Sequence, residues 1–419
     1  MRHRAPHVLC ILATSVLIVA ILGISSTALA GPLSSDSLSG TLEIRAQSHD
    51  GEAGWLKRGY GKTGVGDARA GLEVGVADIV WQPLFSETLG GHFQIQVQPR
   101  LSHSLDVVEG YLTWRPPAIG ETRLTLRAGL FFPPLSLEHD PSSWGVIHTI
   151  TPSAINTWIA EEVKVRGVEL TARHRLGEGK LALNIAVFGG NDTAGALLAY
   201  RGWGLHDIRA GAFSELPLPP LSRQRMTILQ DQAPFTAPGR EIDSRAGYYG
   251  RLEWRSSAGL ELNLFHYDNA GSRTGLSDGQ YAWETRFTNA GAEIPLDDRT
   301  TLISQYLTGE TKMGPRVPPI LVNARFSSGF LMLTRRFGSD EFALRGEFFE
   351  VVDRSFVVLD NQNEQGRAIT LAYIRNLSPH AQGRLELLTL QSRRPARTDL
   401  GLAARQAQTV AKASLRLGF

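Results

Sequence analysis

The chain has 419 residues, 42% of them hydrophobic and 20% charged, with a net charge of +2 and a single cysteine. That balance excludes a disordered chain, a disulfide scaffold and a cysteine-built metal protein. Beyond the N-terminus no run of about 18 apolar residues occurs, which excludes a helical membrane protein, and the charge excludes a strongly basic nucleic-acid binder.

The first element reads as an export signal over residues 1–30. Arg2 and Arg4 give it a basic start, Val8–Leu22 an apolar run, and Ala28-Leu29-Ala30 a small-x-small cleavage site. Cys10 and the two arginines behind the net charge leave with it. Residues 31–419 then read as one domain.

From residue 40 onward the chain alternates with period two. In Phe93-Gln94-Ile95-Gln96-Val97-Gln98 the odd positions are apolar and the even ones are amides. Such a strand has one wet face and one apolar face. Sixteen strands are predicted, starting near residues 40, 66, 91, 106, 122, 161, 180, 245, 259, 280, 299, 324, 341, 366, 381 and 405. Along Val163–Ala172 the apolar positions switch from odd to even at Gly167, which suggests a bulge. Short turns such as Gly177-Glu178-Gly179 and Gly338-Ser339-Asp340 alternate with long connections, among them 49–65, 132–160 and 190–244. The last of these is too long for an inert loop. Extra strands there would raise the count to eighteen.

A soluble sandwich shows the same alternation, but two features separate a barrel from it. Long loops on one rim and short turns on the other are the layout of an outer-membrane barrel. The chain also ends Leu415-Arg416-Leu417-Gly418-Phe419, an alternating strand closed by an aromatic, which looks like the assembly signal of such barrels. In lipid every backbone group needs an internal partner, so the sheet must close on itself. The expected fold is all-β: a closed antiparallel transmembrane barrel of sixteen strands, eighteen as the alternative. Its long loops are extracellular, its turns periplasmic, and its place the bacterial outer membrane. Sixteen strands enclose a lumen too wide for wall side chains to fill.

The segment Arg127-Ala128-Gly129-Leu130-Phe131-Phe132-Pro133-Pro134-Leu135-Ser136-Leu137-Glu138 resembles the strand-to-loop passage of the phosphate-selective porins O and P. The resemblance implies a homotrimeric porin whose third long loop folds into the lumen. It does not carry the substrate over. Loop 132–160 has no Lys or Arg and holds Glu138, His139 and Asp140.

With the apolar face toward lipid, the lumen receives Arg45, Arg69, Arg123, Arg127, Lys164, Arg166, Arg251, Arg345, Arg384 and Arg416, with fewer acids. A low-dielectric wall focuses such a field and concentrates anions. Arg127, Lys164 and Arg166 flank loop 132–160 and are the candidate constriction, with Glu138, His139 and Asp140 opposite. The function this implies is passive diffusion of small hydrophilic, anionic solutes. It needs no catalytic residue, cofactor or metal, and its partners are outer-membrane lipid and further copies of the chain, not nucleic acid. The alternatives are an adhesive barrel acting through its loops, or a barrel hydrolase using His206-Asp207 or His266-Tyr267-Asp268, for which no complete signature is present. Gly61-Lys62-Thr63 lacks the P-loop glycine at position 56, which is Leu56.

Overall fold

The computed structural model describes residues 37–419 apart from 51, 65–69, 221–228, 316–321 and 356–360. The expected signal peptide and Arg69 lie outside the described residues. Sixteen strands form one closed barrel. They are β1 (Leu38–His49), β2 (Ala70–Trp81), β3 (Leu89–Val97), β4 (Leu105–Trp114), β5 (Thr122–Phe131), β6 (Val165–Leu176), β7 (Gly179–Gly189), β8 (Gly247–Arg255), β9 (Glu261–Asp268), β10 (Glu284–Pro295), β11 (Thr300–Met313), β12 (Val322–Phe337), β13 (Asp340–Asp353), β14 (Glu364–Ser378), β15 (Ala381–Arg393) and β16 (Arg405–Gly418). Each pairs antiparallel with the next, and β16 returns to β1 with Gly418 opposite Thr41. Phe419 extends that seam: its N–H donates to the Gly40 carbonyl at 3.1 Å.

The strands span because they alternate. On β7, β9 and β12 the outward Ile185, Val187, Leu262, Leu264, Leu331 and Leu333 are exposed, while the inward Asn184, Asn263 and Thr334 are buried. Outward apolar side chains meet lipid, and closure leaves no strand edge unpaired. The wide connections, from 50–69 after β1 to 394–404 before β16, lie at one rim, and turns as short as 177–178 and 338–339 at the other.

Two strand starts differ from the sequence expectation. Residue 161 belongs to a helix, α1 (Ala154–Glu162), and β6 begins at Val165. Gln280 belongs to a two-residue pairing with Leu276–Ser277 inside a loop, and β10 begins at Glu284. Among the described residues the barrel has sixteen strands and not eighteen. The pair Leu216–Pro217 and Phe235–Thr236 in the 190–246 connection is a separate small sheet.

The expected bulge at Gly167 is also absent, since β6 pairs without a shift with both neighbours. Bulges occur instead where β2 skips Gly75 opposite Glu43–Ile44 and where β4 skips Val108 opposite Gln94–Ile95. A Cβ on Gly75 would stand 3.0 Å from Arg45 Nη2, so the glycine makes room for that guanidinium.

The lumen is not empty. Loop 132–164 and the first part of loop 190–246 fold inward, bringing α1 and a second short helix, α2 (Ala196–Arg201), with every residue buried. Ser153 caps α1 by accepting from the Asn156 N–H at 3.3 Å. At the centre, Trp158 packs against Phe287 and Phe326, each 5.2 Å between ring centroids, and Trp203 at 6.1 Å. Inward faces of strands from β4 to β15 supply the wall of this core, including Phe188, Phe265, Leu307, Phe349 and Leu388. Polar residues such as Asn289, Gln305 and Arg345 share these inward faces with it.

Candidate functional site

Ion pairs between wall and loops hold the inserted segments in place. Arg345 of β13 is fully buried and binds Glu138 at 2.7 Å and Glu347 at 3.0 Å. Its guanidinium also donates to the Thr151 and Pro152 carbonyls at 2.9 and 3.1 Å. Glu386 of β15 accepts from the Ile150 and Thr151 N–H groups at 2.6 and 2.8 Å. Glu347 accepts from Ala154 N–H at 2.8 Å. Loop 190–246 is fastened by Arg209 to Asp78 at 2.6 Å and by Asp207 to Arg45 at 2.8 Å. Lys62, in the loop after β1, donates to the Arg201 carbonyl at 2.8 Å and pairs with Glu364.

Two polar spaces border the inserted loops. A vestibule of about 550 Å³ opens at the short-turn end, lined on the β5–β10 side by Arg127, Arg173, Lys180, Arg251, Glu253 and Glu261 and on the loop side by His139, Asp140 and Trp144. A gap of about 40 Å³ lies between the loops and the wall of β15, β16, β1 and β2, where Arg45, Arg209, Arg384 and Arg416 meet Glu43, Asp78 and Asp207. His139 and Trp144 line both spaces and so form the neck between them. Their rings stack at 4.6 Å, and His139 Nδ1 lies 2.8 Å from Ser136 Oγ. Burial holds the His139 imidazole down to about 4, so it is neutral at pH 7.

The wall beside the gap carries polar groups that the protein itself does not satisfy. Buried Arg45 Nη1, Gln47 Oε1, Gln94 Oε1, Gln96 Oε1, Gln98 Nε2, Arg384 Nε and Ser414 Oγ have no protein partner. Buried polar groups of this kind are served by water. All belong to β1, β3, β15 and β16 or the residue after β3. Arg251 Nε, Asn263 Oδ1 and Asn289 Nδ2 on β8–β10 also lack a hydrogen-bond partner in the protein, so such groups occur on both sides of the lumen.

The sequence-derived site residues scatter across this arrangement. Arg45 lines the gap, paired to Glu43 at 2.6 Å and to Asp207. Arg127 and Arg251 line the vestibule, paired to Glu169 at 2.9 Å and to Glu253 and Glu261 respectively. Asp140 lies on the loop side of the vestibule and accepts from Ser142 N–H at 2.8 Å. Four expectations need correction. Arg123 is exposed at the short-turn end of β5, opposite Arg173, away from the neck. Glu138 does not face the gap; it is buried against Arg345, Ser153 and Asn156. Lys164 is buried under loop 190–246, donating to the Ala210 carbonyl with its ammonium 4.4 Å from the Phe132 ring centre. Arg166 shares the outward face of Val168 and Leu170 and is exposed. The reason is the missing bulge: Val163 and Val165 point inward into the apolar core, so the arginine between Val165 and Gly167 points out.

Sequence reasoning missed Asp78 and Arg209, and weighed Asp207 only as part of a hydrolase pair with His206. Asp78 was hidden by the Gly75 bulge, which puts odd-numbered Glu73 and even-numbered Asp78 on one face. Asp207 and Arg209 lie in a segment without alternation, where no local signal marks them. Glu138, His139 and Asp140 do not form a metal site. Among the described residues, Asp192, Glu241 and Asp243 in loop 190–246 are the three acids close enough to share a cation, with oxygens within 4.8 Å.

No family model matches the chain, and no curated protein matches it. Solved structures do. The outer membrane channel DcaP of Acinetobacter baumannii matches over 93% of this chain and 100% of its own, at 10% identity and a TM-score of 0.59. A loop-deletion mutant of OmpT, an outer membrane protein of Vibrio cholerae, matches over 91% and 98%, at 8% identity and a TM-score of 0.52. An anion-selective porin from Comamonas acidovorans matches over 91% and 98%, at 12% identity and a TM-score of 0.51. The fold is that of a sixteen-stranded bacterial outer-membrane porin.

Proposed function

We propose that the chain is a narrow outer-membrane channel for passive diffusion of small anionic solutes. The observation that carries this is the arginine-lined gap. Two inserted loops narrow a wide barrel to a gap where four arginines meet three carboxylates and Arg100 shares Asp207 at 2.9 Å. A small cationic excess in a low-dielectric slot favours anions. No step of chemistry is involved. The link to the porins O and P rests on Arg127–Glu138 alone, and a homotrimer is part of the same reading. The packed core gives the adhesive-barrel reading one point in its favour, because a sealed barrel would be filled in this way.

Liposome swelling separates them. Vesicles carrying the refolded protein should swell faster in a hydrophilic carboxylate such as gluconate than in a neutral sugar of similar mass such as glucose. Equal rates would remove the anion preference, and no swelling with either solute would leave the adhesive barrel.

A further inference from the structure

The outer wall carries a second charged feature at the long-loop rim. Arg393 of β15 and Arg405 of β16 stand directly opposite each other. Arg367 of β14 lies one strand away, opposite Gln391 and donating to its side-chain oxygen at 3.3 Å. All three are exposed on the outward face. Like charges in opposite register destabilise a sheet, and among the described residues none of the three arginines is ion-paired. Glu350 accepts from Gln365 at 3.0 Å, and Asp50 accepts from the Thr409 N–H.

Farther down the same face the wall holds an apolar groove of about 700 Å³. Ala46, Ser48, Ala411 and Ala413 floor it, and Leu371 and Leu387 flank it. Leu371 follows Arg367 by four residues on β14, about 13 Å along the strand at ~3.3 Å per residue. For a strand tilted near 45° that is about 9 Å of depth, within the ~15 Å of hydrocarbon in one leaflet. The arginines therefore sit at headgroup level when the groove sits among the acyl chains.

We propose that this face binds one phosphorylated lipid of the outer leaflet. Its phosphate lies on Arg367, Arg393 and Arg405, and an acyl chain fills the groove. Guanidinium groups suit a phosphate because they present paired donors, and an acyl chain supplies the apolar match. The inference rests on the membrane-barrel fold and not on conduction, so failure of either reading leaves the other standing.

Native mass spectrometry of the refolded, detergent-solubilised protein tests it. The probes are equimolar dimyristoyl phosphatidic acid and dimyristoyl phosphatidylcholine. Phosphatidic acid should be retained preferentially. Each of Arg393→Gln and Arg405→Gln should weaken retention about tenfold, the worth of one charge-assisted contact, while Arg393→Lys should keep most of it. Ala411→Leu, which fills the groove and leaves the arginines intact, should also weaken it. Equal retention of the two lipids, or a preference unchanged in R393Q/R405Q, overturns the proposal. So does an oligomer that A411L dissociates and that carries no lipid, since a second copy would then occupy the groove.

Discussion

His139 is the side chain on which the two polar spaces meet, and its protonation state is set by burial. Its neighbours oppose one another: Glu138 and Asp140 favour the charged ring, and Arg209 disfavours it. Because its folded value of about 4 lies below the ordinary 6.5, the unfolded chain takes up the proton first as pH falls. Stability carried by His139 is thus full above about 6.5 and is lost as pH drops toward about 4. The urea midpoint of the protein in vesicles should fall between pH 7 and pH 4.5 by more in the native chain than in His139→Gln. Equal falls would mean the ring is not buried at the neck. Arg345 is tied to its surroundings in another way. It satisfies Glu138, Glu347 and two loop carbonyls at once, so removing it would strand two buried carboxylates.

At the scale of elements, α1 is what narrows the barrel, and Trp158 is its anchor. Replacing Trp158 with Ala should cost about 3–5 kcal/mol of packing. That loss falls on the inserted helix rather than on the strand ladder, so the barrel should persist while the route widens. Single-channel recording of W158A should show larger and noisier steps than the native chain; unchanged steps would show that α1 does not limit the route. The strands were legible where an apolar outward face meets a polar inward one, as on β16; on β12 and β13 runs such as Phe330–Leu333 and Phe348-Phe349 are apolar on both faces. Arg166 was misassigned for the converse reason. Where the lumen itself is apolar, Val163 and Val165 imitate lipid-facing residues, and the phase change at Gly167 marks a change of surroundings rather than a bulge. Gly129 shows the crowding there: a Cβ on it would lie 2.2 Å from the Gly110 carbonyl oxygen, and its φ of +144° suits glycine.

The whole molecule combines an apolar core inside the barrel with two polar spaces, the vestibule and the gap. Barrel closure, strand number and the alternation of loops and turns arise from patterning that any sixteen-stranded membrane barrel must carry. The route does not, because it depends on loop residues such as Asp207 and Arg209 meeting wall residues more than a hundred positions away. No local period encodes such a meeting. The most direct test of the channel is planar-bilayer recording of the refolded protein across a KCl gradient. The expected result is small, stable steps with a reversal potential displaced toward chloride, the displacement shrinking in Arg209→Gln and Arg384→Gln. Steps selective for potassium, or a silent bilayer from folded protein, would contradict it.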